Sequence, residues 1–170
     1  MRDVENRYRG LPHRTPEMLF SIIRKFYRGA VSHVELIQEK KAEVYRAWQQ
    51  FQRDGDDLPL RQSLHTLFLE FHFYTTCWLQ IDLALYRLAV QQPEAARVRE
   101  AFCEPLEKHL AVRRQLEDPE RCVRAQADLP GGWSCVGEDA YWFGDVRFSV
   151  NDESLRSLHD LYEAIQAAKS

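Results

Sequence analysis

The segment Leu64–Val90 constrains this chain more than any other. It contains no proline and no glycine, so nothing in it interrupts a helix of roughly seven turns. Its apolar residues fall on nearly every side of that helix. This is the pattern of a helix enclosed by others rather than one lying on a surface. A central helix needs neighbours all round, and the flanking segments must supply them.

They read as helices too. Thr15-Pro16-Glu17 is a helix start: an N-cap, a proline at the first helical position and an acid in the first turn. The first helix runs from there to about Gln52. Its apolar seam is Leu19, Ile23, Phe26, Ala30, Ile37, Val44, Trp48 and Phe51, separated by multiples of three and four. Gly29 in mid-helix costs about 1 kcal/mol against alanine and points to a close approach by another helix. Asp54-Gly55-Asp56-Asp57-Leu58-Pro59 turns the chain. A second helix then runs to about Gln91, so the two long elements form an antiparallel hairpin. Gln92-Pro93 breaks the chain again. Glu94 to Asp118 is helical in pattern with a seam at Val98, Phe102, Leu106, His109, Arg113 and Leu116, and Pro105 implies a kink or two short helices.

Leu129-Pro130-Gly131-Gly132 marks a change of style. Short aromatic and β-branched runs occupy Trp133 to Val150, and Gly144-Asp145 makes a tight turn between Tyr141–Phe143 and Val146–Val150. A hairpin over 133–150 is expected, followed by a helix over 152–168 capped by Asn151 and packed through Leu155, Leu158, Tyr162 and Ile165. The fold class is therefore mainly α: an antiparallel helical bundle with a small β-hairpin insertion before the C-terminal helix. With 170 residues and only seven glycines and seven prolines, one domain spanning 1–170 is expected.

Charge narrows the partners. The net charge of −3 gives no global attraction to nucleic acid. The first residues are basic, with Arg2, Arg7, Arg9 and Arg14 against Asp3 and Glu5, and residues 1–14 read as a flexible basic arm that could touch RNA or an acidic partner. No apolar stretch follows a charged start as in a signal peptide, and a cytoplasmic protein is expected. The longest run without a charge in the central helix, Phe71 to Ile81, is eleven residues, against the roughly 20 that a bilayer needs. No membrane association is expected. Cys77, Cys103, Cys122 and Cys135 show no CxxC spacing and read as reduced thiols.

Dinucleotide, P-loop, zincin and α/β-hydrolase motifs are absent, and no cofactor or bound metal is expected. The chemistry-bearing residues left are histidines. His33 lies on the first seam, His65 and His72 share a face of the second helix, and His109 lies on the third seam. They could gather into a metal or acid–base site, or each could be an interior histidine hydrogen-bonded to a neighbour. Trp133, Tyr141, Trp142 and Phe143 have two readings as well: a lid over the bundle, or an exposed aromatic surface for a protein partner.

Arg28-Gly-Ala-Val-Ser-His33 has the form Arg-x4-His, and two long antiparallel helices precede an Arg- and His-rich third segment. In this plan the chain resembles the HEPN-like families of bacterial proteins. The resemblance implies a homodimer in a defence or toxin–antitoxin context. It also implies a metal-independent endoribonuclease using His109 with Arg113 or Arg114, or His33 with Arg28. In Glu104-Pro-Leu-Glu-Lys-His109, however, Glu104 stands where the family's motif has arginine. The expectation is therefore a non-enzymatic interaction module that has kept dimerisation and partner binding, with the ribonuclease as the alternative.

Overall fold

The computed structural model describes residues 13–169; most of the basic arm expected at 1–14 lies outside them. Seven helices and one two-stranded hairpin follow in the order α1 (Pro16–Asp54), α2 (Leu58–Gln91), α3 (Pro93–Ala101), α4 (Cys103–Gln115), α5 (Pro119–Ala127), α6 (Ser134–Glu138), β1 (Tyr141–Phe143), β2 (Val146–Phe148) and α7 (Asp152–Ala168). This is the helical bundle with a hairpin before its last helix.

The α1–α2 hairpin is the spine. Thr15 Oγ1 accepts the Met18 amide at 3.3 Å, which starts α1. Gly55 ends it in the left-handed region (φ 75°), its amide bonded to the Phe51 carbonyl at 2.7 Å. His33 faces Glu70 and Gly29 faces Cys77, so the two helices run antiparallel. A methyl group on Gly29 would lie 3.9 Å from Cys77 Sγ, an ordinary contact, so the close approach expected there does not depend on glycine. It occurs at Gly137 of α6, where an added Cβ would sit 2.9 Å from the Trp48 ring.

The shorter elements wrap one side of this spine. The third helical segment breaks at Phe102, so Pro105 falls in the first turn of α4, where its missing N–H leaves no gap. Helix α5, which the apolar pattern did not show, begins at Asp118-Pro119-Glu120, the same start signature as Thr15-Pro16-Glu17. Asp118 Oδ1 accepts the Arg121 amide at 3.2 Å. The hairpin is narrower than 133–150, because Trp133 stands at the head of α6 and only six residues are strand. Its inner face fills the core. Tyr141, Phe143 and Phe148 meet Phe68 and Phe71 edge-on, with ring centroids 5.1 to 6.4 Å apart. Asp139, the one non-glycine residue with positive φ (48°) among the described residues, knots the junction. It accepts Lys41 Nζ at 2.8 Å and the Ser149 hydroxyl at 2.8 Å, and Lys41 also reaches the Val150 carbonyl at 2.5 Å.

Helix α2 is the most buried element, but it is not enclosed all round as its sequence implies. Leu69 and Phe73 remain 46% and 48% exposed. Among the described residues, α3, α4 and α5 pack along other sides of α2 and leave Leu69 and Phe73 about half exposed.

Candidate functional site

Among the described residues, a cleft at the head of α7 and the open side of α2 combine accessibility with organised chemistry.

The cleft, about 440 Å³, lies between the start of α4, the β2 strand and the first turns of α7. His109 and Ser154 line its floor, together with Lys108, Arg147, Glu104 and Glu153. Ser154 points inward because it begins the buried row Ser154, Leu158, Leu161, Ile165 of α7, whose four–three–four spacing keeps one helical face. His109 is 2% exposed and stacks on Trp78 with centroids 3.6 Å apart and planes 9° off parallel. Its Nδ1 lies 2.7 Å from the Pro105 carbonyl and its Nε2 2.8 Å from Ser154 Oγ. Tyr74 OH lies 2.8 Å from the same oxygen.

These contacts fix the protons. A carbonyl only accepts, so Nδ1 carries the ring hydrogen. Complete burial holds the imidazole neutral, with its pKa lowered to about 3, so Nε2 accepts from the Ser154 hydroxyl and Ser154 in turn accepts from Tyr74. A serine donating to an imidazole has the form of a nucleophile–base pair. An imidazole with so low a pKa is a poor base near neutral pH. The chain Tyr74–Ser154–His109–Pro105 ties α2, α4 and α7 together, with each buried polar group paired.

The other candidate residues lie elsewhere. His33 Nε2 pairs with Glu70, and the His33 ring packs on Phe73 with centroids 4.4 Å apart. Arg28 is exposed on α1. Arg113 donates through Nε to Thr76 Oγ1 at 3.2 Å and pairs with Glu117 at 3.2 Å, while Arg114 is exposed at the end of α4. The surroundings of His33 and His109 share no residue, so the structure does not assemble these candidates into one site. His72 stands beside Arg113, and burial followed by that guanidinium lowers its pKa. Among the described residues, no three His, Cys, Asp or Glu side chains could hold one metal ion. All four cysteines are free, and burial pushes the Cys77, Cys122 and Cys135 thiols up to about 11.

Of the four aromatics, Trp133, Tyr141 and Phe143 are buried and belong to the core; Trp142 is 39% exposed. The aromatic surface that is open lies on α2. Gln62, Thr66, Leu69, Phe73, Thr76 and Gln80 alternate four and three residues apart, the spacing of a helix–helix seam. Between Gln62 and Ile81 the one formal charge is Glu70, which His33 pairs. Helix α1 borders this stripe at His33 and α4 borders it at Arg113. Ser154, Gln126 and this stripe were missed by sequence reasoning. Seam spacing could have found Ser154, four residues before Leu158, and the absence of charge could have found the stripe.

Among the described residues, no helix is long and apolar enough to cross a membrane. In comparisons with known proteins, no family model matches the chain, and no curated protein or solved structure matches it either.

Proposed function

We propose that the chain is a non-enzymatic helical interaction module that works as a homodimer paired along the open side of α2. The observation that carries this reading is the charge-free stripe centred on Leu69 and Phe73. A helix face that stays wet normally carries charged residues. Interface centres are depleted of charge and enriched in aromatics. The stripe suits a second copy in particular. Across a two-fold axis, residues near the axis meet their own counterparts, and a charge there would face a like charge. None of the six stripe residues carries a charge, and Glu70 beside them pairs with His33. From Gln62 to Gln80 it runs about 27 Å at 1.5 Å per residue. The bacterial defence or toxin–antitoxin context, the cytoplasmic setting and a further protein partner are proposed on the resemblance to HEPN-like proteins.

Sedimentation equilibrium tests the reading. The wild type is expected to be a dimer, and Phe73→Glu a folded monomer with unchanged circular dichroism. A wild type that stays monomeric across the concentration range would overturn it. RNA cleavage without metal that disappears in His33→Ala or His109→Ala would replace it with the ribonuclease.

A further inference from the structure

The two edges of the hairpin differ in a way the register dictates. Phe143 pairs with Val146 across the two-residue connection Gly144-Asp145. In a hairpin of this kind the residues flanking the turn exchange both main-chain hydrogen bonds. The next pair, Trp142 and Arg147, therefore turns its N–H and C=O groups away from the partner strand. On the β1 side these outward groups are taken. Gln126 Oε1 accepts the Trp142 amide at 3.0 Å, and Gln126 Nε2 donates to the Trp142 carbonyl at 2.7 Å. One fully buried side-chain amide thus stands in for a third strand on that edge. On the β2 side, the Arg147 N–H and C=O have no partner among the described residues, and Arg147, Phe148 and Ser149 line the cleft.

We propose that the outer edge of β2 is a strand-addition site, where an extended, basic segment of a protein partner lies in the cleft and bonds to the Arg147 main chain. This rests on reading the chain as an interaction module, but not on the α2 stripe. Backbone register supplies the mode of binding, because a strand laid on this edge meets a donor and an acceptor already aimed at it. Charge supplies the sign. Glu104, Glu138 and Glu153 line the cleft against Lys108 and Arg147, while Asp139 is already neutralised by Lys41. One carboxylate is left in excess. The residue opposite Arg147 points its side chain outward, as Arg147 does, and its two neighbours turn toward the face that carries Phe148, in the cleft that Glu104 and Glu153 also line.

The test is selection of phage-displayed random linear peptides on the purified full chain, with soluble Arg147→Pro present as competitor. Proline removes the edge N–H, whereas Arg147→Ala keeps it. The expected peptides are rich in Lys, Arg and β-branched residues. They should bind Arg147→Ala about as well as wild type and Arg147→Pro roughly tenfold more weakly, the loss of about one hydrogen bond. Glu104→Lys with Glu153→Lys should weaken them further. In amide-exchange NMR, peptide should slow exchange at Arg147 and leave Trp142 unchanged. Selection of no peptide, equal binding to Arg147→Pro, or unaltered exchange at Arg147 would overturn the proposal. If Arg147→Pro does not fold, exchange at Arg147 decides alone. A wild-type dimer with no peptide binding sinks this site only, and peptide binding by a monomer sinks the α2 reading only.

Discussion

On its inward side α2 carries Tyr74 and Trp78, both fully buried; Phe73, one residue before Tyr74, is 48% exposed. Each side holds aromatics and a histidine, and they are handled differently. Inward, His109 is stacked, doubly hydrogen-bonded and held neutral. Outward, His33 is half-buried and serves to pair Glu70. The inward side pairs His109, Ser154 and Tyr74 with one another within one chain and leaves the Trp78 ring N–H buried without a partner. The outward side pairs Glu70 with His33 and leaves Leu69 and Phe73 about half exposed. The hairpin repeats the contrast on a smaller scale, with Gln126 closing one edge and, among the described residues, no hydrogen bond closing the other at Arg147.

The contrast breaks most visibly by truncating both sides. Trp78→Ala should cost about 4 kcal/mol of unfolding free energy, as for a large aromatic removed from a packed core, while Phe73→Ala should cost under about 1 kcal/mol in dilute protein. Urea titration measures both, and comparable losses would mean that the two sides are not different in kind.

His109→Leu should cost about 2 kcal/mol, because Ser154 and Tyr74 lose the acceptor that orients them. The same residue gives a pH signature. Its pKa is lowered in the fold from 6.5 to about 3, so below 6.5 the unfolded chain takes up a proton that the native chain refuses. Stability from this group is full above pH 6.5 and falls as pH drops toward 3, by on the order of 1.4 kcal/mol per pH unit. Urea midpoints measured downward from neutral pH should show this slope in the wild type and lack it in His109→Leu. Equal slopes would place the imidazole in contact with water.

Gln126→Leu should cost about 1 kcal/mol, since Trp142 keeps some access to solvent for the groups it loses. Faster amide exchange at Trp142 would report the opened edge, and unchanged exchange would remove Gln126 from its proposed role. The smallest effect belongs to Phe73→Glu, within about 0.5 kcal/mol of the wild-type monomer. A larger loss measured on dilute protein would make Phe73 a core residue and end the distinction.

Sequence alone determined the long helices α1, α2 and α7, because their signals are local, but not α5 or α6, the latter lying where a hairpin was expected. Thr15-Pro16-Glu17 and Asn151 cap α1 and α7, the apolar row of α1 is buried at Leu19, Ile23, Ala30, Ile37 and Val44, and Gly144 opens the turn between the strands. Local rules also explain α5, whose start at Asp118-Pro119-Glu120 was readable although its short apolar face was not. Only tertiary structure decided which seam residues found partners and which faces stayed open. His33 and His109 both lie on apolar seams. One meets a carboxylate at the edge of the open face, and the other meets Trp78 and Ser154 in the core. Periodicity fixes the direction of a side chain relative to its own helix. Which element lies opposite depends on how helices of unequal length share one spine, and among the described residues no other helix lies across the side of α2 that carries Leu69 and Phe73.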